Sequence, residues 1–335
     1  MQIRSFDRST DIDGWLAVAG AATAVDAPDL PTPCRDAFVG GLDVPWPGER
    51  DEHRVVEVDG RIVGILRLGF MELDNEDNVE MELAVHPEFR RRGIGTRLHA
   101  VAVDEARRAG RRRLMSDSVR ALPGRTDRPG AGSLFAPTTG AQLGQTEIRR
   151  VLDTTGVDRA AIDARIAELR ARATGYTMVS WAGDNPDDIV AGIAKLDSSF
   201  LGEAPLGDLR WEPQRVDVPR VREVERSRRA RRSVAYQAVA RHDATGEIVA
   251  WTEITDHHCP DWYAEQDITL VTSAHRGHRL GLLTKLVNLA QVLDSAPAVT
   301  VIDTSNAEEN EHMIAINEAM GFRAVDAWDA WQLDL

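Results

Sequence analysis

Leu83-Ala84-Val85-His86-Pro87-Glu88-Phe89-Arg90-Arg91-Arg92-Gly93-Ile94-Gly95-Thr96 decides how this chain is read. An apolar strand over 79–85 ends at Pro87, and a helix over 92–109 begins at the two glycines. Leu98, Val101, Ala102 and Glu105 fall at helical spacing, and Gly110 stands just past the helix end. Glycines at 93 and 95 let the backbone approach a ligand, and the first amides of a helix have no internal acceptor. The helix start carries roughly half a positive charge, worth about 0.3–1 kcal/mol per anion contact, and three arginines add to it. A pyrophosphate fits such a cradle. A bare Gly-x-Gly could simply open a helix beside a solvated charge run, but the strand, the proline exit, the arginine three residues before Gly93 and the apolar helix agree with a cradle. A Rossmann turn would need a third glycine at position 98, which is Leu98, and a parallel βαβ unit.

Working outward, 53–59 and 61–70 read as antiparallel strands joined at Asp59-Gly60. A helix covers 12–25, and the Pro-, Gly- and Asp-rich 26–52 is a candidate substrate lid. Downstream come a strand at 114–119, a loop over 120–132, a short helix at 133–139 and a strand at 146–152. A connecting helix over 157–172 places Ile162, Ile166 and Leu169 on one face. A second cycle follows, with strands at 176–181, 267–271, 298–302 and 326–334, a hairpin over 233–255, and helices at 186–200, 279–294 and 308–320. Setting Val85 against Val271 and Gly95 against Gly281 repeats the order of elements, the mark of a diverged tandem duplication. The expected organisation is a first domain over 1–153, a connector over 154–174 and a second domain over 175–335.

The stretch from Leu83 to Thr96 resembles motif A of the GNAT N-acetyltransferases, whose pattern is Arg/Gln-x-x-Gly-x-Gly/Ala between a strand and a helix. Asn306 to Phe322 resembles motif B of the same family, with Asn310 at the family's Asn and Asn317 where a Tyr is usual; Leu134 to Gly140 is a worn copy, again without Tyr. The resemblance implies an α/β chain of the α+β type, with two GNAT-like domains that are each a mixed, mainly antiparallel sheet flanked by helices. It implies acetyl-CoA as cosubstrate, held by Leu83, Ala84, Val85, Arg90, Arg91, Arg92, Gly93, Ile94, Gly95 and Thr96. The degenerate second copy would use Val271, Arg276, Gly277, Gly281 and Asn310, with Arg279 in the place of Gly93. The amide of Leu83 or Val85 would receive the thioester carbonyl.

Acetyl transfer needs a neutral amine, and an alkylamine of pKa about 10.4 is mostly protonated at pH 7, a handicap of about 4–5 kcal/mol. Strand alternation puts Glu80 and Glu82 on one face and Met81, Leu83 and Val85 on the other. Glu82 is the expected base, with Glu80 as the neighbour that raises its proton affinity. In the second copy Asp267 and the carboxylate of Leu335 are the candidates. No Cys sits beside motif A, so direct attack on a small-molecule amine is expected. A mycothiol-synthase-like acetyltransferase and a non-enzymatic acyl-CoA-binding protein are the alternatives.

The 335 residues carry a net charge of −14, which opposes binding to nucleic acid. Cys34 and Cys259 are too few for a disulfide scaffold. No apolar run approaches a membrane span and the N-terminus lacks a signal-peptide layout, so a cytoplasmic monomer or homodimer without a membrane partner is expected. His257-His258-Cys259 lacks further ligands at metal spacing, so no metal is expected.

Overall fold

The computed structural model describes all 335 residues. The chain divides into two compact units, one of Met1–Ile148, Pro205–Glu212 and Val325–Leu335, the other of Arg149–Ala204 and Pro213–Ala324. The chain thus leaves the first unit after Ile148 and returns to it twice. The expected second domain ran to Leu335, whereas the last strand belongs to the first unit.

In the first unit the elements are β1 (Gln2–Ser5), α1 (Ile12–Asp26), α2 (Arg35–Asp43), β2 (Glu49–Val58), β3 (Arg61–Met71) and β4 (Asn78–Val85). They are followed by α3 (Ile94–Arg108), β5 (Arg113–Ala121), α4 (Ala131–Phe135), the start of β6 (Gln142–Asp153) and β12 (Arg323–Asp334). Strand order is β1-β2-β3-β4-β5-β12-β6. The pairs from β1 to β4, and β5–β12, are antiparallel; β4–β5 is parallel because α3 carries the chain back over the sheet. Asp59 and Gly60 both take positive φ, 50° and 77°, as the two-residue hairpin turn requires.

Ile94, Leu98, Ala102 and Ala106 form the buried stripe of α3 against Leu66, Leu68 and Phe70. Each fully buried large side chain contributes about 1.5–3 kcal/mol. The helix ends in a Schellman turn, with Arg111 N–H on Ala106 O and Gly110 N–H on Arg107 O. The opposite face is covered by α1, whose Trp15 and Val18 pack with Val55 and Ile65. The segment expected to be a lid instead contains α2 and the start of β2, because Glu49–Glu52 pair with Leu68–Met71. β1 was not anticipated, since four half-exposed residues carry no readable period.

The second unit takes the end of β6, then α5 (Arg159–Arg172), β7 (Tyr176–Ala182), α6 (Val190–Glu203), α7 (Val218–Ala230), β8 (Val234–His242), β9 (Ile248–Asp256), β10 (Tyr263–Val271), α8 (Leu280–Ser295), β11 (Val301–Ala307) and α9 (Glu311–Ala319). Strand order is β6-β11-β10-β9-β8-β7. The expected connector, α5, is a core helix here: Ile162, Ile166 and Leu169 pack with Leu283 and Leu286 of α8. The strand expected at 298–302 forms at Val301–Ala307, in parallel register with Tyr263–Glu265. No helix is long and apolar enough to cross a membrane.

Candidate functional site

In the first unit β4 and β5 pair only at Asn78–Arg113, Val79–Leu114 and Glu80–Met115, and part beyond that point. His86 N–H bonds Val63 O at 2.9 Å, and Val85 lies opposite Gly64, so the amides of residues 82, 84 and 86 face β3. By alternation the amides of Leu83 and Val85 face the gap left by β5. Ala84 turns its methyl to the α1 face, with the Trp15 cluster.

The start of α3 lies beside this gap. Gly93 is the N-cap in left-handed conformation, φ 78°, and Arg97 N–H is the first to reach an intrahelical acceptor, Gly93 O, at 3.1 Å. The amides of Ile94, Gly95 and Thr96 therefore head an open helix end. A Cβ at Gly93 would meet nothing within 4 Å, while one at Gly95 would reach Leu83, Val85 and Phe135 at 3.9 Å each. Gly95 thus faces Leu83 and Val85, the strand residues whose amides border the gap.

The three arginines are not equivalent. Arg90 donates from Nε to Val85 O at 3.0 Å, and its two terminal nitrogens grip Asp26, the last residue of α1, at 2.8 and 2.6 Å. Its charge is matched by Asp26, so it ties the loop to α1 rather than pointing at an anion. Arg92 donates to Glu88 O and lies over Phe89. Arg91, exposed and at φ 61°, makes no hydrogen bond or ion pair within the chain.

On the α1 face of the sheet the carboxylates gather round one cation. Arg67 of β3 lies 2.8 Å from Asp51 and from Glu82, 3.1 Å from Glu49 and 3.8 Å from Glu80. Loss of water around Glu80, followed by the charge of Glu49, pushes its carboxyl up to about 7 against the pull of Arg67. Glu82, its side chain 71% exposed, holds Arg67 at the gap. Asp117 of β5 is pushed up to about 6 by desolvation and by Glu82, and Glu147 of β6 is raised by desolvation and by Asp117. Sequence reasoning missed Arg67, Asp117 and Glu147; the alternation Met115-Ser116-Asp117-Ser118-Val119 was the one available signal, and it does not say which face is the site.

The second unit repeats the frame. β10 and β11 pair only as far as Glu265–Asp303, Thr272 N–H bonds Val249 O, and Thr269 and Val271 therefore turn their amides to the gap. Arg276 donates from Nε to Val271 O at 3.3 Å and pairs with Glu203, the last residue of α6. Gly277 takes φ 86°, and Arg279 holds the left-handed N-cap position at φ 60°. Gly281 faces Val271, Thr269 and Ile316. Asp267 sits in a bulge of β10; desolvation and then Glu253 push it up to about 8, though Thr255 Oγ1 donates to it at 2.5 Å. The residue is nevertheless exposed to solvent. Glu253 itself is clamped by Arg228.

Asn310 caps α9, its Oδ1 accepting from Met313 N–H at 3.3 Å. Asn317, fully buried, donates to Asn306 Oδ1 at 2.6 Å, and its own Oδ1 has no partner. Leu335, expected to serve the second copy, lies instead in the first unit, its N–H on Arg112 O at 2.8 Å beside the closed end of β4 and β5.

Residues 29–122 match the model of the acetyltransferase (GNAT) family. A solved tandem GNAT protein from the clavulanic acid biosynthesis pathway is 30% identical, with 99% of this chain and 98% of that one covered at a TM-score of 0.84. A GCN5-related N-acetyltransferase from Sphaerobacter thermophilus, 12% identical, matches 99% of this chain and 95% of its own at 0.66. A putative acetyltransferase from Pyrococcus horikoshii, 15% identical, matches 100% and 89% at 0.56; these last two show the fold alone. No curated protein matches significantly.

Proposed function

We propose, for a chain that belongs to the GNAT acetyltransferase family and is a tandem-domain acyltransferase using acyl-CoA, that its first unit moves an acetyl group from acetyl-CoA to a small-molecule amine by direct attack. The observation that carries this reading is the parting of β4 from β5 beyond Glu80, beside the open start of α3. The amides at the start of α3 and the guanidinium of Arg91 would take the pyrophosphate. The amide of Leu83 or Val85 would hold the thioester oxygen as it gains charge, an effect worth about 3–4 kcal/mol when one such donor is removed.

The amine nitrogen attacks the thioester carbon, the C–N bond forms, the C–S bond breaks and the thiol leaves. Of the two carboxylates expected on β4, Glu80 has the proton affinity suited to a base at neutral pH, directly or through a water, and Glu82 positions Arg67. The base works deprotonated, so the rate should rise with pH up to about 7 and then level. Glu80→Gln should remove that limb and lower kcat by about 100-fold or more; an unchanged profile would exclude Glu80.

Titration calorimetry of acetyl-CoA into wild type, Gly93→Arg and Gly281→Arg tests the cradle. One site, lost only in Gly93→Arg, is the expected outcome. Two sites, or loss only in Gly281→Arg, would place the chemistry in the second unit with Asp267.

A further inference from the structure

Around the gap of the first unit the carboxylates outnumber what Arg67 can answer. Glu80 pairs with Met115 in parallel register, so Met115 and Asp117 lie on the same face as Glu80 and Glu82. Asp117 is two residues past the last pair on β5, as Glu82 is on β4, and the two carboxylates therefore flank the mouth of the gap. Arg67 is surrounded by Glu49, Asp51, Glu80 and Glu82. Asp117 and Glu147 have neither an ion pair nor a hydrogen bond within the chain, and Asp117 is exposed.

The neighbouring strand leaves room there. Asp117 lies opposite Ala330 of β12, the smallest side chain that could face it, and Trp328 shares that face opposite Val119. Trp328 is fixed by its Nε1–H on Asp326 Oδ1 at 3.1 Å. β6, which carries Glu147, is next to β12, so Glu147 stands about two strand spacings, or about 10 Å of backbone, from Asp117. Two unanswered carboxylates, an alanine gap and an indole make a seat for an alkylammonium group.

We infer that the acceptor is a dication: one amine attacks the thioester at the Glu80 end of the gap while a second ammonium, a few methylenes away, sits between Asp117 and Glu147 beside Trp328. This rests on the first unit being the acetyl-transferring one. Loss of water and like charge raise both carboxyls, Asp117 beside Glu82 and Glu147 beside Asp117, and an ammonium seated between them would offset that repulsion. A negatively charged tail on the acceptor would be repelled by the same groups, and a neutral tail would gain nothing from them.

Three acceptors of equal length separate these cases: putrescine, n-butylamine and γ-aminobutyrate, whose far ends are positive, neutral and negative. With wild type and acetyl-CoA, thiol release should give putrescine a kcat/KM about ten-fold above n-butylamine, with γ-aminobutyrate lower still. The putrescine-to-butylamine ratio should fall with added salt and approach one in Asp117→Asn/Glu147→Gln. Equal use of putrescine and butylamine, or preference for γ-aminobutyrate, would overturn the inference while leaving acetyl transfer intact. Should no amine release thiol, the transfer reading fails, and calorimetry of putrescine against butylamine on wild type and the double variant decides the seat alone. Charge-selective binding lost in the variant would uphold it; no selectivity would end it.

Discussion

The two parted-strand gaps share a backbone and differ in nearly every charge. In each, an arginine at the start of the loop donates to the last carbonyl of the strand and grips the final residue of a helix, Arg90 with Asp26 of α1 and Arg276 with Glu203 of α6. In each, the helix starts from a residue in left-handed conformation, Gly93 or Arg279. Yet where β3 carries Arg67 among carboxylates, the matching residue of β9 is Glu253 held by Arg228. Where α3 has His99, α8 has Lys285, 1% exposed and lying 5.6 Å from the centre of the Phe322 ring. The latch and the left-handed N-cap recur in both gaps and go with their shape, whereas the charges around them differ, as they would if only one copy bore the chemistry.

The comparison can be broken most forcefully at the latch. Arg90→Met should cost about 3 kcal/mol, since it strands Asp26 and frees the Val85 carbonyl, and should weaken acetyl-CoA binding by calorimetry. Arg276→Met, the arginine side chain being 57% exposed, should cost about 1 kcal/mol or less and leave acetyl-CoA binding intact. If Arg90→Met bound normally, the latch would be ornamental.

Next in size is Lys285. Burial lowers its amine to about 7, so folding is penalised whenever the unfolded chain would hold that proton. The penalty is absent above about pH 10.5, grows as pH falls, and is complete below about 7. Lys285→Met should therefore stabilise the protein at pH 7 by about 2 kcal/mol or more, with the gain shrinking toward pH 10 in denaturant titrations. A gain independent of pH would mean the amine escapes burial.

Arg279→Gly is the smallest and sharpest change. A non-glycine residue in left-handed conformation costs about 1 kcal/mol, which glycine would recover, and an opened N-cap would make the second cradle like the first. Calorimetry should show the stability gain as a raised melting temperature, and a second acetyl-CoA site would show that Arg279 alone closes the copy.

How much of this was legible follows from what each feature depends on. Gly93, Gly95 and the stripe of α3 are local, and they announce both helix and cradle. The latch is not local: Asp26 lies 64 residues from Arg90, and nothing in a single sequence links them. Glu80 and Glu82 could be put on one face by alternation, but which of them keeps its proton depends on Glu49 and Arg67 arriving on neighbouring strands. Asp117 was invisible for the same reason. The strand at 326–334 was recognised, but its partner β5 lies some 200 residues away, and order along the chain suggested the nearer unit.

That last strand has a consequence for the living cell. A ribosome emits the chain in one direction, and Val325–Leu335 reaches the tunnel exit only after the whole of Pro213–Ala324. β5 must therefore wait, one edge uncovered, for roughly ten to forty seconds at common rates of synthesis. The unit begun first is finished last, and the face of its sheet that carries Ala330 and Trp328 is complete only once translation has passed through the other unit.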